Sequence, residues 1–341
     1  MKNYLLVCLL IMGVAACRGK KNIPDVSGIK IVLPVQRFDK DFFSLDTNNI
    51  SAGMSRLGQK YPVMLPLFLQ NIIGTSDTAG IKTFIRLSQK LNADASKIFE
   101  RFDDVKKDIE TGLKFVKHYF PDYKLPDSII TILGPPDAMA QTTSGEPTPV
   151  FLRPGFIGIS LQFYMGKDYP MYQDEFFIST VAPLYRSRRF EKQFIAGDVF
   201  KLIADDIYPD KALGKPLIEQ FIEKGKQSYL IDHLLPFIAD SIKTGYTQKQ
   251  LEWCQKNEGD IWAYIIANEN LNSVEPVVVQ TYIGESPFTQ GMSQSSPGNI
   301  GQWVGWQIIK KFAEKNPELS LQQILNTEAR KILDEAKYKP K

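Results

Sequence analysis

The sequence predicts an α+β fold in which helices predominate around a small central sheet. Two β-branched runs, Ser128–Leu133 and Phe156–Phe163, lie in the middle of the chain close to glycine and proline residues, a pattern typical of short strands. Long stretches on both sides carry apolar residues at helical spacing. A short pair of strands between long helical segments therefore indicates the α+β class.

The chain begins with the features of a lipoprotein signal peptide. Lys2 supplies a positive charge, Tyr4–Ala16 form an apolar run, and small residues lead into Cys17. The run is shorter than the roughly 18 to 20 apolar residues that span a bilayer as a helix, so cleavage before Cys17 is expected. We predict a signal peptide at residues 1–16 and lipid attachment at Cys17. An ordinary signal peptide with an incidental cysteine is the alternative.

A polar tether is predicted at residues 17–28, followed by a single globular domain at residues 29–341. Basic residues in the tether would reach anionic head groups of the membrane. Each buried methylene contributes about 0.8 kcal/mol, so two or three acyl chains such as palmitate on Cys17 would anchor the protein stably.

Composition indicates a folded body and argues against nucleic acid as a partner. The chain has 341 residues, of which 43% are hydrophobic and 23% charged, enough to bury a sizeable core. The net charge of +3 is well mixed and forms no polybasic face. Once Cys8 is removed and Cys17 acylated, only Cys254 remains, so no intramolecular disulfide is expected.

The segments ahead of the central strands are predicted to be mostly helical. Ile29–Val35 is a strand-like run, and residues 48–118 follow as largely helix. Within the latter, Ala79–Leu91 and Ala95–Tyr119 carry apolar residues at helical spacing. Neither segment indicates chemistry.

The second half begins with irregular structure and then becomes helical. Gln141–Pro154 is rich in Thr, Ser, Gly and Pro, which predicts a long exposed loop between the two strands. An aromatic turn follows at Tyr164–Tyr172. Helices are predicted over Glu175–Tyr208 with a break near Pro183, Leu217–Ile238, Thr247–Glu269 and Ile300–Lys315.

The start of the helix at Ile300 and the loop before it form the candidate recognition site. Free amide groups and the helix dipole favour an anion or a carboxylate there, and polar loops held by rigid elements often carry function. The alternative is a self-capped loop in which Ser295, Ser296 or Asn299 satisfies those amides. The candidate residues for contact with a partner are Ser286, Thr289, Gln290 and Asn299.

Two glycines on the same helix predict close packing against another helix. Gly301 and Gly305 are about one turn apart, and a glycine inside a helix costs about 1 kcal/mol relative to alanine unless packing offsets it. Trp303 borders the apolar stripe of this helix and is therefore predicted to be core. A groove lined by tryptophans, for peptide or glycan, is the alternative.

Catalytic and metal-binding motifs are missing from the sequence. It contains no nucleophile elbow, P-loop or dinucleotide fingerprint. A zinc site of the helical type needs two histidines one turn apart, but His118 and His233 lie far from each other. Asp205 and Asp206 are adjacent and point about 100 degrees apart, which predicts a solvated helix end. We predict no catalytic residue, no metal and no cofactor.

The small residues leading into Cys17, which form a lipobox, and several later segments make an ordered set that spans nearly the whole mature chain. The segments are Tyr164–Tyr172, Phe221–Tyr229, Tyr246–Trp253, Ser286–Gly291, Ser296–Gly305 and, more weakly, Ala336–Pro340. This set, in this order, resembles the gliding-motility lipoprotein family GldB of the Bacteroidota. The resemblance implies a membrane lipoprotein of the gliding apparatus, which in that phylum works with the type IX secretion system.

The same family is distantly similar to predicted zincin-type peptidases, in which a helix with HExxH precedes a second helix that supplies a glutamate. The candidate first helix here, Phe194–Tyr208, contains no histidine. The resemblance therefore implies a degenerate zincin-like domain whose metal site is gone. Basic residues stand after Cys17 where some members of the phylum carry an acidic surface-export motif, so we expect the protein to face the periplasm, on the outer membrane rather than the inner one.

The sequence thus predicts a non-catalytic lipoprotein that acts as a component or assembly factor of the gliding and secretion apparatus. Its expected partners are membrane lipid, through Cys17, and other proteins of that machinery. The alternative is an envelope hydrolase, peptidase-like or glycan-active, that uses carboxylates without metal. An enzyme should show acidic side chains converging in a deep pocket, an assembly protein an exposed patch, and a glycan-binding module exposed tryptophans.

Overall fold

The computed structural model describes residues 23–142 and 145–341. The predicted signal peptide at residues 1–16, the first part of the tether and the lipid attachment at Cys17 lie outside these residues. Those assignments stay predictions, as does the division that makes residues 29–341 a single domain.

Helices make up most of the described chain, as predicted. α15 has the predicted bounds, and residues 48–118 are largely helical, although Ser88 separates two helices within the segment predicted at Ala79–Leu91. The helices are α1 (Phe38–Phe43), α2 (Ile50–Lys60), α3 (Met64–Leu67), α4 (Thr78–Leu87), α5 (Gln89–Ile98), α6 (Asp103–Tyr119), α7 (Glu175–Thr180), α8 (Leu184–Ser187), α9 (Ile195–Ile207), α10 (Leu217–Leu234), α11 (Asp240–Thr244), α12 (Gln248–Lys256), α13 (Glu258–Asn268), α14 (Pro276–Ile283), α15 (Ile300–Lys315), α16 (Leu321–Asn326) and α17 (Ala329–Ala336).

The sheet is small, mixed and central, which confirms the α+β class. Its order is β1-β2-β6-β5, with β1, β2 and β6 parallel and β5 antiparallel to β6. Every residue of β2 and β6 is buried, because helices cover both faces of the sheet. The strands are β1 (Val35–Gln36), β2 (Ser128–Ile132), β3 (Ala140–Gln141), β4 (Pro147–Thr148), β5 (Val150–Arg153) and β6 (Phe156–Ser160).

Alternate residues of the central strands enter different apolar cores. Ile129 packs with α6 and α9 on one face, whereas Ile130 packs with the N-terminal helices α1 to α4 on the other. A further core joins α10, α15 and α17. The period-2 alternation of a strand distributes its side chains in this way.

Two predictions about the strands are wrong. The run Ile29–Val35 forms no long strand, since only Val35 and Gln36 pair with β2. Gln141–Pro154 is not one exposed loop, because it contains most of the β3–β4 hairpin and the whole of β5. Gly155 has φ +89°, a value that favours glycine, and the tight turn there folds β5 back onto β6.

The glycine-mediated contact predicted for α15 is confirmed, with α10 as the partner helix. A Cβ placed on Gly305 would lie 1.6 Å from the carbonyl oxygen of Phe221, and one on Gly225 would lie 2.2 Å from the carbonyl carbon of Gly305. Only glycine permits two backbones to approach this closely. Trp303 is 3% exposed, so its assignment to the core is confirmed as well. We call this pairing the glycine contact.

Candidate functional site

The loop before α15 is more internally bonded than the sequence suggests. Thr289 is fully buried at 0% exposure. Its backbone N–H donates to the Ser296 hydroxyl oxygen at 3.1 Å, and its own hydroxyl donates to the Pro297 carbonyl at 2.7 Å. The prediction that Thr289 belongs to a surface is therefore wrong, because its polar groups are satisfied inside the loop.

The other three predicted residues differ in their surroundings. Ser286 is half-buried and donates to the Phe288 carbonyl at 2.9 Å, while Gln290 is exposed. Asn299 has φ 46°, in the left-handed region, and its side chain does not cap α15. Its backbone N–H donates to the Gly284 carbonyl at 3.0 Å instead. The Ser296 hydroxyl accepts the Thr289 N–H within the loop. The side chains of Ser296 and Asn299 therefore do not cap α15.

A cleft of about 520 Å³ opens in front of the start of α15. Asn299 and Gln302 line it, so the helix start that the sequence singled out does face a cavity. Its volume suits a drug-sized ligand or a short peptide. The other walls come from the β3–β4 hairpin, α8, α9, α10 and the end of α14.

One end of the cleft holds a carboxylate among cations. Arg189 Nη2 lies 2.7 Å from Glu285 Oε1, and Arg186 Nε lies 3.7 Å from Glu285 Oε2. Burial alone would raise the pKa of Glu285, but Arg189, Arg186 and Lys201 outweigh it and hold that pKa below its ordinary value. We call Arg186, Arg189, Lys201 and Glu285 the arginine end.

A further guanidinium stands beside the arginine end with neutral partners. Arg188 Nη2 donates to the Gly245 carbonyl at 3.3 Å and to Gln250 Oε1 at 3.0 Å. Burial, and then the neighbouring Arg189, lower the pKa of Arg188. A small cavity of about 20 Å³, lined by Arg188, Arg189 and Asn299 among others, adjoins the cleft here. Positive charge is therefore in excess at this end.

The opposite end reverses the arrangement, with one cation among carboxylates. Lys224 Nζ lies 2.8 Å from Asp210 Oδ2 and 3.7 Å from Glu146 Oε1. Burial would lower the pKa of Lys224, but Glu146, Asp210 and Asp205 together raise it above its ordinary value. We call Lys224, Asp205, Asp210 and Glu146 the acidic end.

Asp205 corrects another prediction. It is 8% exposed and not part of a solvated helix end. The Nε2 of Gln227 donates to its Oδ1 at 3.5 Å, because α9 packs against α10 along this face. Asp206, one residue on, is exposed and accepts the Tyr123 hydroxyl at 2.7 Å.

Asp198 lies next to the arginine end and has partners of its own. Its Oδ2 accepts the hydroxyl of the fully buried Tyr164 at 2.9 Å, and its Oδ1 lies 3.2 Å from Lys201 Nζ. Burial, and then the charge of Asp198, raise the pKa of Tyr164 well above its ordinary value. The tyrosine therefore stays a neutral donor.

The charged groups of the cleft are arranged to keep their charges. A general acid or base works best with a pKa near the operating pH. Here the neighbouring charges lower the pKa of Glu285 and raise the pKa values of Lys224 and Arg189, which moves each pKa further from pH 7. The cleft can therefore bind opposite charges more readily than it can exchange protons.

Histidines and metal ligands do not converge in the described residues. His233 Nδ1 lies 2.8 Å from the Tyr229 carbonyl, and its ring contacts Tyr119 and Tyr229. Within residues 23–142 and 145–341, no group of three or more His, Cys, Asp or Glu side chains could hold a metal ion. The residues of α9 that line the cleft are Asp198, Lys201, Leu202 and Asp205.

Comparison with known families gives one match. The model of the family described as gliding motility protein GldB matches residues 19–340. The chain belongs to the GldB family. This membership makes it a lipoprotein related to gliding motility. None of the helices in the described part of the chain is long and apolar enough to cross a membrane.

Comparisons with curated proteins and with solved structures give no match. The similarity of GldB to zincin-type peptidases therefore stays a prediction, while the GldB assignment itself is confirmed. The tryptophans are all buried or half-buried, so the described residues show none of the exposed tryptophans expected of a glycan-binding module. The arginine and acidic ends were not predicted, because their members lie far apart in the sequence.

Proposed function

We propose that this GldB-family protein acts non-catalytically, as a component or assembly factor of the gliding and type IX secretion apparatus, and that it binds a partner protein in the cleft. The observation that carries the proposal is the pairing of charges at both ends of the cleft. Glu285 and Lys224 are each surrounded by groups of opposite sign. Such preset charges favour recognition of a charged partner over proton transfer.

The same proposal places the protein at a membrane through lipid on Cys17. In this arrangement the mature chain faces the periplasm from the outer membrane, and the tether at residues 17–28 joins the lipid to the globular body. Family membership supports a lipoprotein, and the apolar run before Cys17 supports its processing. Replacing Cys17 by Ser should release the protein from the membrane fraction and abolish incorporation of labelled fatty acid.

An envelope hydrolase remains the second candidate because carboxylates do converge in the cleft. Asp198, Asp205 and Asp210 line it together. Asp198 is bonded to Tyr164 and Lys201, Asp205 to Gln227, and Asp210 to Lys224. None of the three is therefore an isolated acid. Turnover of labelled peptidoglycan or casein by the purified lipoprotein, lost in Asp198→Asn, would establish this candidate and overturn the first.

The decisive test replaces charges of the cleft in a gliding strain. Arg186→Gln and Lys224→Gln each remove one cation while keeping a polar side chain of similar length. The matched control is Arg330→Gln, whose guanidinium pairs with Glu219 outside the cleft. We expect the cleft variants to accumulate and localise normally but to lose gliding and secretion, and the control to retain both. Normal gliding of both cleft variants at normal abundance would contradict the proposal.

A further inference from the structure

The two ends of the cleft carry opposite net charge. At the arginine end, with its neighbours, four cations (Arg186, Arg188, Arg189 and Lys201) face two carboxylates (Glu285 and Asp198), a net of +2. At the acidic end one cation, Lys224, faces three carboxylates (Glu146, Asp205 and Asp210), a net of −2. A cavity with low-dielectric walls strengthens the field between such ends.

The start of α15 adds to this polarity. The helix has 16 residues, and Asn299 at its N-terminus lines both the cleft and the small cavity beside Arg188. The free amide groups and the dipole of a helix favour negative charge at this position. The helix start therefore acts in the same direction as the guanidinium groups.

The spacing of charges along α9 sets the length of ligand that fits. Lys201 at the arginine end and Asp205 at the acidic end both line the cleft and are four residues apart, which corresponds to about 6 Å along the helix axis. A ligand that uses both ends therefore needs opposite charges separated by about 6 Å.

We propose that the cleft binds a peptide by its free C-terminal carboxylate at the arginine end and by a basic side chain, in the last or next-to-last residue, at the acidic end. This inference rests on the cleft being the partner site. An extended chain advances about 3.3 Å per residue, so a C-terminal lysine or arginine spans the required distance. Guanidinium groups are well suited to a carboxylate, which they bind through paired hydrogen bonds.

The ion pairs at both ends of the cleft leave charged groups that can contact a bound peptide. Arg186 meets Glu285 at 3.7 Å, longer than a hydrogen bond, and donates through Nη2 to the Pro147 carbonyl. Glu146 meets Lys224 at 3.7 Å and is 67% exposed. One loosely held group of each sign is thus available to a ligand without breaking the closer pairs of Arg189 with Glu285 and of Lys224 with Asp210.

The test measures binding of three tripeptides to the mature lipoprotein in detergent micelles, by calorimetry. The probes are N-acetyl-Ala-Ala-Lys with a free carboxylate, the same peptide with a C-terminal amide, and N-acetyl-Ala-Ala-Gln with a free carboxylate. We expect the first to bind most tightly, and loss of either charge to weaken binding by about tenfold or more. Binding of the first should weaken as salt is raised.

Variants assign each charge to its end. Arg186→Gln should abolish the preference for the free carboxylate over the amide and keep the preference for Lys over Gln. Glu146→Gln should do the reverse, because Glu146 is the loosely held carboxylate of the acidic end. Arg330→Gln, outside the cleft, should behave as the unaltered protein. Thermal unfolding of each variant checks that the fold is intact.

Several results would overturn the proposal. They are no binding of the free lysine peptide at millimolar concentration, equal binding of all three peptides, or preference for the carboxylate alone, which would indicate a simple anion site. Its failure is separable from that of the proposed function. Loss of gliding in the cleft variants without peptide binding rejects only the ligand, whereas peptide binding with normal gliding rejects only the role in motility.

Discussion

The glycine contact and the cleft lie at different parts of the same helix pair, and they are built on different physics. The contact depends on two glycines and excludes every larger side chain, since a Cβ on Gly305 would lie 1.6 Å from a backbone oxygen. The cleft instead depends on charges contributed by many segments. The glycine contact accepts no larger side chain, whereas a charged group of the cleft can exchange one ionic partner for another. The tightly packed glycine contact thus holds the charged groups of the cleft in place.

The largest effect is expected where packing has no room to adjust. Gly305→Ala would force α10 and α15 apart, and overpacking that moves backbone typically costs about 1 to 3 kcal/mol. We expect a matching fall in the free energy of unfolding, measured by urea denaturation. Gly28→Ala is the control, because a Cβ there meets nothing within 4 Å. Equal stability of the two variants would mean that the helices do not touch as described.

A buried hydroxyl in the loop before α15 should matter less, but measurably. Thr289→Ala removes the donor to the Pro297 carbonyl, and leaving a buried acceptor unsatisfied costs about 1 to 3 kcal/mol. Thr289→Ser, which keeps the hydroxyl, is the matched control and should restore much of that loss. If alanine and serine are equally stable in thermal unfolding, the hydroxyl bond contributes nothing.

The dependence of stability on pH should distinguish the cleft from the glycine contact. The pKa of Glu285 is lowered in the folded protein, so its contribution to stability is present above the unfolded value of about 4.3 and is lost as pH falls through the folded pKa. We expect Glu285→Gln to be less stable than the unaltered protein at pH 7 and the difference to shrink below about pH 4. The effect should be small, since this carboxylate is 40% exposed.

Gly305→Ala supplies the comparison for that measurement. The glycine contact carries no ionisable group of its own, so the destabilisation by this variant should not follow the Glu285 titration. Parallel pH profiles of the two variants would remove the distinction between the regions.

The smallest effect is expected at an exposed position of the loop. Gln290→Ala changes a surface side chain and should alter stability by within about 0.5 kcal/mol. Any loss of gliding in this variant would then report partner contact rather than unfolding. The measurement is gliding speed set against protein abundance, and a fall in abundance would show that Gln290 is structural.

Much of α15 and its close packing could be predicted because the residues that determine them are near one another in the sequence. Ile300, Val304, Ile308 and Phe312 repeat at helical spacing, and Gly301 and Gly305 lie within the same stretch. Periodicity and glycine content therefore gave the bounds of α15 and its close packing. Asn299 at the helix start lines the cleft, and its contact with a partner stays a prediction.

The charges of the cleft could not be predicted because their partners are distant. Arg189 and Glu285 are 96 residues apart in sequence, and no local pattern records that they meet. Thr289 misled for a different reason: a threonine in an irregular polar stretch resembles a surface residue, yet its bonds to Ser296 and Pro297 lie inside the loop. β5 was missed because Val150–Arg153 is a short strand at the end of a polar stretch.

The glycine contact also has a consequence for selectivity. Lys224 at the acidic end is adjacent to Gly225, which touches the backbone of α15, and Gln302 in the first turn of α15 donates to the Ser228 hydroxyl of α10 at 2.9 Å. The separation between Lys224 and the N-terminus of α15 is therefore fixed by backbone that cannot slide or spread. A fixed separation should make the proposed peptide site selective for the distance between the two charges of its ligand, so a peptide that carries its basic side chain several residues from the C-terminus should lose one of the two contacts.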